Sequence, residues 1–284
     1  MTFFLSTIGE MFSLSFMVYA LITGILVSIC ASLLGVTLVL KRYSMIGDGL
    51  SHVAFGSLAV ATALSLSPMK VALPVVILSA FLLLRLSEKG KLKGDALTAM
   101  ISTGALAIGY LAVSMSTGMN IDIDNYLFGS ILTLTKGDVW LSIALTLLVI
   151  PTYIFLFSHI FSITFDSTFA KAIGTKIGLL DSIFAILTAI TVVLGMRFMG
   201  TLLISALIVF PPLTAMRVMK SFRGVVICSA VLPVVSFLVG LILSFFLSTP
   251  PGATVVCVSL LLFLVFSLVG TLHRRRCHKH GPAS

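Results

Sequence analysis

Asp48 and His52 stand four residues apart in the segment Gly47-Asp48-Gly49-Leu50-Ser51-His52, a spacing that puts a carboxylate and an imidazole on one face of a helix. The segment opens an apolar stretch that follows Lys41-Arg42, so the pair lies within a candidate membrane span. A carboxylate at the centre of an inserted helix costs roughly 2.5–3.5 kcal/mol, which places Asp48 against other helices or a wet cavity rather than lipid. Oxygen and nitrogen ligands together suit a divalent transition metal, and an ionisable pair inside a membrane marks a pathway.

The elements that must position this pair are membrane helices. Of 284 residues, 59% are hydrophobic and only 10% charged, with a mean hydropathy of +1.22. The apolar runs are continuous rather than alternating, which excludes an outer-membrane barrel and leaves an all-α, polytopic helix bundle. Spans are expected near 14–39, 45–65, 70–86, 95–117, 138–158, 178–196, 200–216, 225–247 and 253–271, giving eight to nine crossings in a single transmembrane domain over 1–284. The first span has no preceding basic cluster or small-residue cleavage pattern and reads as a retained helix.

Of the 18 Lys and Arg residues, only Lys70, Lys136 and Arg197 fall on one side of this segmentation. The positive-inside rule then puts the amino terminus outside and the carboxyl terminus in the cytoplasm. It also accounts for the net charge of +9 through anionic lipid, without nucleic acid. Cys30, Cys228, Cys257 and Cys277 lack paired metal spacing and read as packing residues. No Gly-x-x-x-x-Gly-Lys-Ser/Thr loop occurs, so ATP chemistry would have to come from a partner.

A second polar segment, about 164–177, joins the fifth and sixth spans. Asp166 is placed to cap a short helix and Gly174 to end it. The small residues Ala170, Ala172 and Gly174 would let another protein approach closely; an ordinary capped loop helix is the other reading. Asn120-Ile121-Asp122-Ile123-Asp124 reads either as a cation-attracting external loop or as a merely solvated one. His159 reads as a snorkelling or capping residue, and Asp181 as a cap or a pathway residue. The tail 272–284, with His273, Arg274–Arg276, Cys277, His278 and His280, reads as a lipid-facing anchor. Pro211-Pro212 removes two backbone donors and should break its helix.

The chain resembles the permease subunits of the zinc/manganese/iron ATP-binding-cassette importers, and among them the zinc-importer permeases. The resemblance runs from Lys41-Arg42-Tyr43-Ser44-Met45-Ile46 through the Asp48/His52 segment to Tyr126-Leu127-Phe128-Gly129 and the Asp166–Gly174 segment. It continues through Met199-Gly200-Thr201, Pro211-Pro212 and Thr249-Pro250-Pro251-Gly252. It implies a homodimeric permease in a bacterial inner membrane that receives metal from an extracellular or periplasmic binding protein and is driven by a dimer of cytoplasmic ATPase subunits. By the same resemblance, Asp48 and His52 match positions of metal passage. Asp166, Ala170 and Gly174 match the segment that docks on the ATPase. Some relatives carry Pro-Gly where this chain has Val53-Ala54-Phe55-Gly56, so the bend after the pair is expected to differ.

Zinc, manganese and ferrous iron all suit the ligand pair, and zinc is favoured on overall resemblance. No permanently bound cofactor and no enzymatic activity are expected. A secondary metal/proton carrier also needs intramembrane Asp and His, but it has no use for a docking helix and often carries inverted repeats, which are not evident here. An intramembrane protease needs His-Glu-x-x-His or a second facing aspartate, neither of which is found.

Overall fold

The computed structural model describes residues 15–89, 94–115, 128–129 and 134–279. The chain is helical nearly throughout: α1 (Ser15–Leu40), α2 (Ser44–Ala63), α3 (Pro68–Lys89), α4 (Gly94–Met115), α5 (Lys136–Phe155), α6 (Phe157–Phe165), α7 (Ser167–Ala172), α8 (Ile177–Met199), α9 (Thr201–Val218), α10 (Phe222–Leu247) and α11 (Pro251–Lys279). Among the described residues, nine long helices correspond one for one to the expected spans. Eight of them are long and apolar enough to cross a membrane; α2 is not among these. Its Gly, Ser, Asp and His content lowers its hydropathy, and protein rather than lipid surrounds much of it.

Small residues let α2 sit close to its neighbours. Against α4, a side chain on Gly49 would strike Thr98, one on Gly56 would strike the Ala105 backbone, and Gly109 faces Gly56 in turn. Backbone approach of this kind is how membrane helices gain packing energy without a hydrophobic driving force. Helix α2 runs unbroken through Val53-Ala54-Phe55-Gly56.

Helix α1 is the axis of the bundle, packed by α5, α8, α9 and α10 and buried over most of its length. Its polar side chains help fix those neighbours: Ser32 donates to the Ser229 carbonyl of α10, and Cys30 lies 3.6 Å from the Thr146 hydroxyl of α5. Cys30, Cys228 and Cys257 are free thiols, in keeping with packing roles. Helices α3, α4, α5 and α11 are mostly exposed, carrying an outer surface of Leu78, Ile108, Leu147 and Leu268 among others.

Helix α9 corrects one expectation. It runs unbroken from Thr201 to Val218 with Pro211 and Pro212 inside. Each proline deprives the carbonyl four residues earlier, on Leu207 and Ile208, of its helical donor. The helix survives because the region is close-packed on protein: Leu207, Ile208, Pro211 and Pro212 are all buried, and the Ile208 carbonyl is turned onto Gly35 of α1. A freed carbonyl at membrane depth is tolerated beside protein, and that condition is met without a break.

Two ion pairs join opposite ends of the bundle. Lys41, just past α1, pairs with Asp181 in the second turn of α8, so Asp181 does not cap that helix. At the other end Asp138 of α5 is 5% exposed and accepts from the Thr135 amide (3.0 Å), the Thr135 hydroxyl (2.8 Å) and Arg197 of α8 (3.2 Å). Three donors satisfy a buried carboxylate that would otherwise be costly. Each pair ties helix ends that are remote in sequence.

Candidate functional site

Asp48 lies about 6 Å along α2 from Ser44 and His52 about 12 Å, at 1.5 Å per residue, so the pair occupies the half of the helix nearer Lys41-Arg42. The two side chains face one another, with Asp48 Oδ2 3.6 Å from His52 Nε2. Their exposures, 43% and 29%, leave both accessible on the surface of the single chain. His52 Nδ1 is buried with no hydrogen-bond partner, so among the described residues no hydrogen bond fixes its tautomer. No third His, Cys, Asp or Glu joins the pair among the described residues.

The flank of α2 beside the pair holds it in place. Ser51 is fully buried, donates to the Asp48 carbonyl at 2.7 Å and meets the Ser205 hydroxyl of α9 at 3.1 Å. Gly47 sits against the Ile208 side chain, at the proline-containing stretch of α9. Helix α9 is therefore the platform on which the Asp48/His52 face is set. Ser205 was not evident as a positioning residue from the sequence, where it is one more small residue in an apolar run.

The polar segment after α6 is built as its residue types require. Asp166 Oδ1 accepts from the amides of Thr168 and Phe169, both at 2.9 Å, and caps α7. At the other end Gly174 has φ +81°, with the Thr175 amide bonded to the Ala170 carbonyl and the Gly174 amide to that of Lys171. This is the left-handed stop that glycine serves at least cost. Ala170, however, faces inward: it is fully buried against Ile163 and Leu180. Its small size is explained by packing α7 onto α6 and α8. The outward surface of the segment consists instead of Phe169, Ala172, Ile173 and Gly174, with Phe169 and Ile173 each 57% exposed, while Lys171 borders a cavity together with Lys41 and Arg42.

Three glycine motifs far apart in sequence meet at one point. Gly129 (φ +77°) lies against the Met199 and Gly200 backbone, Gly200 (φ +85°) makes the turn between α8 and α9, and Gly252 abuts the Phe128 and Met199 carbonyls. A side chain at Gly129 or Gly252 would collide with backbone, so these motifs act as a close-packed knot at the end of the bundle that also holds Asp138 and Arg197. His159 is exposed on α6. The Asn120–Asp124 loop lies outside the described residues, as do the side chains of the tail.

A protein-family model, the ABC 3 transport family, matches residues 13–270. The chain belongs to that family. It is 31% identical over 247 residues to the "High-affinity zinc uptake system membrane protein ZnuB" of Haemophilus influenzae, covering 87% of this chain and 94% of the relative. It is 27% identical over 259 residues to the "Manganese import system permease protein ScaB" of Streptococcus gordonii, covering 91% and 93%. Its fold is that of a chain in the solved "PsaBC from Streptococcus pneumoniae in complex with Fab", with a TM-score of 0.81, 24% identity and coverage of 92% and 94%. The chain is accordingly a membrane transport component and not an enzyme.

Proposed function

We propose that this chain is the permease subunit of an ATP-binding-cassette importer that moves a divalent transition metal into the cytoplasm across a bacterial inner membrane, with zinc the favoured cargo and manganese or iron the alternatives. The observation that carries the reading is the Asp48–His52 pair, two metal-ligand side chains 3.6 Å apart on one accessible face of α2, a helix packed among the apolar spans. Family membership supports the transport class, and the relatives' names supply zinc and manganese. The ligand chemistry does not rank those metals.

The same site supports a homodimer. Each chain offers two ligands that remain accessible on its own surface, and a second copy would contribute a second pair. Such an incomplete shell binds weakly enough to release its ion, where a closed four-ligand site would hold it. The drive would come from an ATPase dimer seated on the outward surface of 164–177. The metal would be delivered by an extracellular or periplasmic binding protein on the opposite side. A short capped helix with exposed Phe169 and Ile173 has an evident use in this reading and none in a secondary carrier.

The test is uptake of radioactive zinc and manganese, in parallel, by vesicles containing the permease with its ATPase. ATP-dependent accumulation is expected, with zinc preferred. Accumulation that needs only a proton gradient would replace this reading with the secondary carrier.

A further inference from the structure

The chain ends α1 in a way that glycine would serve more easily. The Tyr43 amide bonds the Leu38 carbonyl (2.8 Å) and the Arg42 amide that of Val39 (3.0 Å), which forces Arg42 into the left-handed region at φ +63°. A bulky residue held there is uncommon, and backbone strain of this kind gathers at binding sites. The Arg42 side chain lines a cavity of about 740 Å³ enclosed by the end of α1, α6, α7 and the start of α8, together with Lys41, Thr164, Lys171 and Asp181. Lys41 is already neutralised by Asp181, whereas Arg42 and Lys171 have no ion-pair partner among the described residues. The Thr164 hydroxyl is buried without a hydrogen-bond partner. Two free cations and an unused hydroxyl around one cavity make a receptor for a compact oxyanion, and the planar fork of arginine matches phosphate oxygens.

The surroundings select the source of that anion. A second cavity of about 360 Å³ shares Gly178 and Asp181 with the first and extends to Phe81, Leu84 and Arg85 on α3, whose outer face carries exposed Leu78, Phe81, Leu82 and Leu86 around that cation. A polar chamber that opens beside an apolar helix face fits a headgroup with its acyl chains. We infer that this cavity binds the phosphate of an anionic phospholipid, held by Arg42, Lys171 and Thr164 at the junction of α1, the α7 segment and α8. The site depends on the proposed orientation only for which leaflet supplies the lipid, and it does not depend on metal transport.

The experiment uses the purified, delipidated full chain in detergent. Thermal unfolding is followed with added phosphatidylglycerol, phosphatidylcholine or inorganic phosphate, and retained lipid is counted by native mass spectrometry. Binding to the folded state raises the unfolding midpoint, so phosphatidylglycerol should raise it while phosphatidylcholine and inorganic phosphate do not. The Arg42→Ala/Lys171→Ala variant should lose at least half of that rise and retain less phosphatidylglycerol. Lys220→Ala/Arg223→Ala, which removes two exposed charges outside the cavity, should lose none. Thr164→Val tests the site without changing charge and should weaken the rise. An equal rise in wild type and the Arg42/Lys171 variant, an equal loss in the Lys220/Arg223 control, or a matching rise with inorganic phosphate would overturn the inference. So would loss of ATPase association in the Arg42/Lys171 variant with unchanged lipid retention, which would assign the cations to a carboxylate of that partner.

Discussion

The carbonyl oxygen of Ile208 rests on Gly35, in the space a side chain at that glycine would fill. Pro212 is what frees this carbonyl, because it has no amide hydrogen to return to it. A proline in α9 and a glycine in α1, 177 positions apart in the chain, are thus one packing feature, and the same Ile208 meets Gly47 of α2, the helix that carries Asp48 and His52. Gly35→Ala is expected to force the two helices apart and to destabilise the protein by about 1–3 kcal/mol, the usual cost of overpacking a tight core. Thermal unfolding in detergent checks this, with Gly104→Ala, at a glycine with open space around it, as a neutral control.

The second prediction addresses the metal path. Asp48→Ala and His52→Ala should each abolish ATP-dependent metal uptake in reconstituted vesicles while leaving insertion and ATPase association intact. Both side chains are partly exposed, so their removal leaves no cavity in the core. Transport at the wild-type rate in both variants would remove the pair from the mechanism.

Sidedness gives the third. A cysteine replacing Ser67 should react with a membrane-impermeant reagent from outside, a cysteine replacing Lys220 should not, and a reporter fused after Ser284 should be cytoplasmic. The basis is the grouping of 15 of the 18 basic residues at one end of the helices, to which anionic lipid adds direction. Labelling of both cysteines from one side would mean that the five long helices between them, α3, α4, α5, α8 and α9, do not all cross.

Much of this architecture was legible because membrane helices announce themselves by length and hydropathy, and because caps and stops use few residue types. Asp166 and Gly174 bound α7 for reasons of local chemistry alone. What the chain hides is rotation and partnership. Nothing local distinguishes the buried Ala170 from the exposed Ala172, because the deciding neighbours, Ile163 and Leu180, belong to other helices. Asp181 reads as a possible cap until the fold brings Lys41 to it from 140 positions away. Pro211-Pro212 reads as a break because the compensating surface, Gly35, is remote in sequence. The same holds for α1, whose burial at the axis is not distinguished from lipid exposure by an apolar sequence.

The last prediction separates coupling from metal binding. Gly174 has open space around it, and its φ of +81° makes any side chain there strained by about 1–2 kcal/mol. Gly174→Ala and Gly174→Arg share that backbone strain, but only arginine adds bulk and charge to the outward surface beside Phe169 and Ile173. If this surface seats the ATPase, Gly174→Ala should retain most ATPase association and uptake, whereas Gly174→Arg should lose both by an order of magnitude or more. Metal binding, measured by calorimetry in detergent against Asp48→Ala, should be unchanged in each, because the strained turn lies on a different element from α2. Equal loss in the two variants would show that the turn matters only for folding of the segment. Full uptake by Gly174→Arg would place the ATPase elsewhere.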